Sequence, residues 1–174
     1  MTQRRVNFRL LRVRLAIASI FVLCMFTLLF VRFFYLQVVQ HDYYTTLAEA
    51  NRKAVRLLEE IREGYESPRT PVVISGCVGP RGDGYVPANA MSAADAEVYH
   101  GEQIETFAGT AADMVCAITM NYVEEAIGVA NAARRAGMPV ALSFTVETDG
   151  KLPTGQTLQA AVEQVEEASS AYPL

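Results

Sequence analysis

The chain contains no tryptophan, two histidines and three cysteines in 174 residues. With only His41 and His100, no histidine-rich metal cluster can be assembled. Cys24, Cys77 and Cys116 stand alone, without a CxxC pair or a neighbouring His, which excludes the local spacing of a structural zinc site. An odd count is also wrong for a secreted disulfide framework. Each thiol is therefore expected to act as a small buried hydrophobe. Acidic residues are missing as far as His41, where six Arg give +6, whereas the remainder carries −10, for a net charge of −4. The acidic remainder lacks the clustered Lys and Arg that a nucleic-acid surface needs, so no nucleic-acid partner is expected.

Leu15 to Val31 is a stretch of seventeen residues without a charge, and Phe33 to Leu36 extend it past Arg32. An Arg near a helix end can snorkel, so about 20 residues suffice to cross a bilayer. The expected organisation is a basic stub over 1–14 and a transmembrane helix over 15–36, with the lipid bilayer as its partner. Arg4, Arg5, Arg9, Arg12 and Arg14 precede the run, which places the N-terminus in the cytoplasm of a single-pass inner or plasma-membrane protein. A cleaved signal peptide is the rival reading. It is disfavoured by the length of the run and by bulky aromatics where a small-residue cleavage site would lie.

Residues 45–60, "TTLAEANRKAVRLLEE", read as one amphipathic helix, with Leu47, Ala50, Ala54, Leu57, Leu58 and Ile61 as its apolar stripe. The segment "VRFFYLQVVQHDYYTTLAEANR", Val31 to Arg52, resembles the start of elongation-type class B penicillin-binding proteins. Their pattern is a basic N-terminus, one span and a juxtamembrane segment, here residues 37–52. Their transpeptidase chemistry needs Ser-x-x-Lys and Lys-Thr-Gly. The only lysines are Lys53 and Lys151. Ala50 and Thr148 stand three residues before them and neither is followed by Thr-Gly, so that activity is excluded for this chain.

From Pro71 the pattern alternates. "PVVIS", "MVCAIT" and "PVALSFTV" read as short buried strands. Between them lie two helices. The first is capped by Ser92, with Asp95 three residues on. The second is capped by Asn121, with Glu124 at the capping-box position, an apolar stripe of Val123, Ala126, Ile127, Ala130 and Ala133, and a stop at Gly137 and Pro139. A third helix carries Leu158, Ala161, Val162, Val165 and Ala168. Such β–α repetition with apolar strands gives a parallel sheet covered by helices. Ligands then bind at the C-terminal edge of the strands, here the loops "GCVGPRGDGY" and "ETDGKLPTG". Cys77, Asp83, Tyr85, Thr119 and Glu147 are the candidate substrate contacts. The competing reading is loop structure, with Gly76, Gly79, Gly82 and Gly84 setting turns and Asp83 bonding the turn backbone.

These loops carry a second resemblance. "GCVGPRGDGY", "SFTVETDGKLPTGQTL" and the flanking helices, over residues 50–168, are similar to the middle of homocysteine S-methyltransferases. The resemblance implies a (β/α)8 barrel that moves a methyl group from a donor such as S-methylmethionine to the homocysteine thiolate. It also implies a zinc ion, held by three cysteines, that favours the thiolate near neutral pH. The family's cysteines come from a later Cys and a Gly-Gly-Cys-Cys turn, and Cys77 and Cys116 do not occupy those positions. No catalytic residue and no metal ligand is therefore assigned in this chain. The family's early "DGG.GT" signature is replaced by the anchor. Ile118 and Thr119 stand where many members carry a substrate-contacting Glu.

The expected fold is thus a single transmembrane helix followed by α/β, a partial (β/α)8 barrel of about three βα units over 53–174 that does not close. Open parallel edges would favour self-association. The anchor exports the domain attached to it, whereas the thiol chemistry suits the cytoplasm. Three readings stand: a methyltransferase-like fragment on a membrane anchor, inactive for want of zinc ligands; a non-enzymatic anchored stub; and a chimeric reading frame without selected function.

Other motifs carry little. Arg81-Gly82-Asp83 is an adhesion tripeptide only by spelling, and "GPRGDG" is neither a dinucleotide fingerprint nor a P-loop. His41 is expected at the membrane interface. His100 reads as a partly solvated structural histidine without a partner. Glu59, Glu60, Glu63, Glu163, Glu166 and Glu167 read as solvated helix faces.

Overall fold

The computed structural model describes residues 8–35, 41–87 and 89–170. The chain divides into two compact units, Met1–Leu47 and Ala48–Leu174. The first contains α1 (Phe8–Phe34), and α2 (His41–Tyr65) runs from it into the second. The span Arg12–Phe34 is, among the described residues, the one helix long and apolar enough to cross a membrane. Its side chains are exposed throughout, and Thr27 returns its hydroxyl to the Leu23 carbonyl at 2.9 Å, so that polar group needs no water. The expectations for Leu36 to Val39 and for the His41 side chain lie outside the described residues.

The second unit continues β1 (Ser75–Val78), α3 (Ala93–Ala108), β2 (Met114–Met120), α4 (Val123–Arg135), β3 (Val140–Phe144) and α5 (Leu158–Ser170). The three strands are parallel in the order β1-β2-β3. Right-handed crossovers between strands that are neighbours in space put both connecting helices on one face. The burial pattern agrees. Gly76, Val78, Val115, Ala117 and Met120 are buried, whereas Cys77, Ile118, Ala141 and Ser143 on the other face are exposed. A parallel sheet covered by helices was expected; the helices cover one face and the other is open. An open parallel sheet with helices on one side is the arrangement of part of a barrel wall.

Helix α4 forms the centre of the packing. Val123, Ala126, Val129, Ala132 and Ala133 are at most 1% exposed, because α3, α5 and the sheet enclose the helix on successive sides. Its end has the Schellman pattern: Met138 N–H bonds Ala133 O at 2.9 Å, Gly137 N–H bonds Arg134 O at 3.0 Å, and Gly137 takes φ +69°. α3 crosses α4 so closely that a Cβ on Gly128 would lie 2.5 Å from Ala96 Cβ and 2.6 Å from Glu97 N. Arg135 clamps the far end of the crossing through Glu97 at 2.6 Å.

Several expectations need correction. The first strand begins at Ser75, not Pro71. Val72 N–H goes to Glu66 Oε1 and Ile74 N–H to Asp113 Oδ2, so side chains take the donors a ladder would use. The N-cap of α4 is Tyr122 rather than Asn121, and it makes no side-chain cap bond. In α2 the apolar stripe is turned outward: Leu47, Leu57, Leu58 and Ile61 are 38–58% exposed, whereas Val55 is 2% exposed. The docked line is Ala48, Asn51, Val55, Glu59 and Arg62; Val55 joins the core, and the Arg62–Asp113 pair at 2.9 Å lies on the same side. The cysteines are not buried: Cys77 is exposed and Cys116 half-exposed. By contrast Ser92 caps α3 as expected, accepting from Asp95 N–H and donating to its carboxylate.

Candidate functional site

The C-terminal edge of the sheet carries the loops after β1 and β3, together with the short turn after β2. β2 ends in an irregularity. Between Ala117 and Met120 the register with β3 slips by one residue, and Thr119 sits at φ +59°. A β-branched residue rarely adopts that conformation. The extra residue rotates the strand end so that Met120 returns to the covered face, where it is fully buried. Thr119 N–H donates to the Ser143 hydroxyl on β3 at 3.4 Å, and its own hydroxyl bonds the Ile118 carbonyl at 2.7 Å.

The loop after β1 folds over this strand end. Asp83 Oδ1 accepts Tyr85 N–H at 2.7 Å and Val86 N–H at 3.3 Å, an Asx turn. The Asp83 carbonyl accepts Asn121 Nδ2 at 2.7 Å. A Cβ on Gly84 would approach the Thr119 hydroxyl to 3.3 Å. Asp83, Gly84, Thr119 and Asn121 therefore form one cluster. Of the candidate contacts, Asp83 is engaged in loop structure and Tyr85 is 68% exposed. Glu147 is exposed in the other loop, where its N–H bonds Lys151 O at 2.7 Å and its carbonyl accepts Gly150 N–H at 2.9 Å. Leu152, 1% exposed, anchors that loop in the core. Cys77 belongs to neither loop. It lies within β1 on the open face.

Beneath the first loop lies a group of residues whose association the sequence does not reveal. Glu125, fully buried in the first turn of α4, uses Oε1 for Arg81 N–H at 2.6 Å and His100 Nε2 at 2.9 Å. A helix N-terminus favours a carboxylate there. Arg81 lies 5.4 Å over the Tyr99 ring, which meets His100 edge-on. His100 is a structural histidine, as expected, but it is not partly solvated: it is 2% exposed and pairs with Glu125. Tyr122 accepts Met91 N–H at 3.0 Å. Burial raises its phenol above the ordinary value of 10.0; the Met91 bond opposes the shift and the nearby Glu125 charge adds to it. Only the packing of α3 on α4 brings His100 and Glu125 together, so neither spacing nor periodicity could find the pair. Chemically the cluster clamps the loop at its Arg81 end.

The residues present do not fit a zinc site built on three cysteines. Cys77 and Cys116 share a face, but among the described residues no group of three or more His, Cys, Asp or Glu side chains gathers. A cleft of about 330 Å³ lined by Arg52, Arg56, Glu59 and Gly109–Ala111 lies at the opposite edge of the sheet, where β2 begins.

A family model described as Homocysteine S-methyltransferase matches residues 34–174. The match starts before residue 50, where the likeness read from the sequence starts. Among solved structures, the apo form of the homocysteine methyltransferase MmuM from Escherichia coli is similar, with 22% identity and a TM-score of 0.62. The likeness covers 72% of this chain and 47% of that one, so this chain spans about half the length of that relative. At this identity the likeness concerns the fold. No curated protein matches the chain.

Proposed function

The chain belongs to the homocysteine S-methyltransferase family, and from that premise we propose that residues 48–170 are the substrate-side part of a thiol methyltransferase barrel, tethered to a membrane by α1. Homocysteine is the proposed ligand class, and the rim formed by Asp83, Gly84, Thr119 and Asn121 is the proposed place of approach. The observation that carries this reading is the parallel β1-β2-β3 sheet, whose helices lie on one side and whose loops gather at the C-terminal edge. The chemistry is set by the donors present. Methyl transfer to a thiol near neutral pH needs a thiolate, and the described residues do not assemble the donors of the family's zinc. This chain by itself is therefore proposed to be catalytically silent. Its test is incubation of the full chain, in detergent, with homocysteine, S-methylmethionine and zinc, then mass spectrometry of methionine. Methionine at the protein-free level is expected, and zinc-dependent production above it would overturn the reading of inactivity.

The tether reading rests on Arg12–Phe34, a largely apolar helix of 23 residues with basic residues before it. The resemblance to the anchors of class B penicillin-binding proteins supports a single span with a cytoplasmic N-terminus. Recovery of the chain in the carbonate-resistant membrane pellet is expected; a soluble chain would refute the tether. An anchored stub without enzymatic role is the second reading, favoured by the same helix. Specific binding of homocysteine by the full chain would exclude it.

A further inference from the structure

The register between β1 and β2 pairs Cys77 with Cys116. Thirty-nine positions apart in sequence, the two are direct neighbours across parallel strands. Both side chains project from the open face, where Cys77 is exposed and Cys116 half-exposed. Strands in a sheet run about 4.8 Å apart. Disulfides need Cα atoms roughly 4.4 to 6.8 Å apart, which the strand spacing meets, and Cβ atoms about 3.5–4.5 Å apart, which closure reaches by drawing the two strands together at this pair. The strands themselves are held from the other side. A Cβ on Gly76 would meet the Phe107 ring at 2.6 Å, so that ring lies against the β1 backbone directly before Cys77. Gln103 Nε2 reaches the Cys77 carbonyl at 3.5 Å.

We propose that Cys77 and Cys116 form a redox-active dithiol that closes to a disulfide by exchange with small-molecule disulfides such as oxidised glutathione. The more exposed Cys77 thiolate attacks one sulfur of the small disulfide. A mixed disulfide forms and one thiolate leaves, taking up the proton that Cys77 released. The Cys116 thiolate then attacks the Cys77 sulfur, expelling the second small thiol in the same way. Two protein thiols are oxidised to one disulfide and the small disulfide is reduced to two thiols, with protons conserved. Each step needs only solvent access and neighbouring sulfurs, both of which the open face supplies. Bond formation would link β1 to β2 and restrict the unfolded chain over the intervening α3.

The test uses the full chain in detergent micelles with Cys24→Ser, so that only the pair reports. The protein is equilibrated in glutathione buffers of graded ratio, acid-quenched, alkylated with maleimide and analysed by intact mass and peptide mapping. A species lighter by two hydrogens, taking up no maleimide and yielding a Cys77–Cys116 cross-linked peptide, is expected. Its equilibrium constant against glutathione should exceed that in guanidinium by at least about tenfold. With Cys77→Ser or Cys116→Ser added, the remaining thiol should accumulate a persistent glutathione adduct, since nothing resolves it. Two alkylatable thiols at every ratio, persistent adducts on the intact pair, or cross-linking no more favourable than in guanidinium would each overturn the proposal.

Discussion

Replacing Gly128 by alanine sets two effects against each other. Glycine inside a helix is less favourable than alanine by about 1 kcal/mol, so local propensity predicts stabilisation. At this site the new methyl would lie 2.5 Å from Ala96 Cβ, 2.6 Å from Glu97 N and 2.7 Å from Ala93 O. Two of these three neighbours are backbone atoms of α3 and cannot rotate away. Relief requires the helices to separate, which weakens the contacts of the buried Ala96 and Val129. Overpacking of this kind costs about 1–3 kcal/mol, and more where backbone must move, so the net expectation is destabilisation of about 1–2 kcal/mol. Gly64, near the end of α2, has nothing within 4 Å of its would-be Cβ and is the control. There alanine should be neutral or stabilise by up to about 1 kcal/mol. Urea unfolding of both variants in detergent, monitored by near-ultraviolet circular dichroism of the tyrosines, reads the two signs. Gly128→Ala as stable as the parent chain would refute the close crossing of α3 and α4.

Three further outcomes rest on single residues. Asp113→Ala removes the acceptor of Ile74 N–H and the partner of Arg62, and should cost about 1 kcal/mol, limited by the solvent access of Asp113; an unchanged urea midpoint would refute its role in setting the start of β1. Glu125→Gln weakens the charge-assisted bonds to Arg81 N–H and His100, so trypsin should cut after Arg81 faster than in the parent; equal rates would show that Glu125 does not hold the loop. The raised phenol of Tyr122 gives a pH signature. Above about pH 10 the unfolded chain loses that proton first, so stability declines as pH rises through the folded value, and Tyr122→Phe should remove that part of the decline; identical profiles from pH 9 to 11 would count against the shift.

How much of the fold is legible in the sequence depends on the range of the interactions. Ser92 and Asp95 are three residues apart, so the cap of α3 is readable, as are the stripe of α4 and its stop at Gly137. The start of β1 is not, because Asp113, the acceptor of Ile74 N–H, is 39 residues away. Periodicity finds the helix around residues 45–60 but selects the wrong face. Val55, buried in the core, and the Arg62–Asp113 pair lie on the side of α2 that docks, which leucine content does not reveal. Asn121 has the residue type of an N-cap, yet it spends its amide on the Asp83 carbonyl and ties the loop to β2 instead. His100 and Glu125 are 25 residues apart, and the Cys77–Cys116 pairing depends on strand register, so both needed the fold to appear. The rim loops were recognisable as family-like; which of their side chains stay available to a ligand was not.

Residues 48–170 form an open three-stranded part of the homocysteine S-methyltransferase fold, and their described side chains gather no group of three metal donors. The most direct measurement is zinc stoichiometry. The reduced full chain is equilibrated with zinc, challenged with a chromophoric chelator and analysed for retained metal. Retention far below one zinc per chain is predicted, because two in-register thiols without a third donor make a weak site. One zinc per chain, retained against the chelator and released by blocking Cys77 and Cys116, would contradict it.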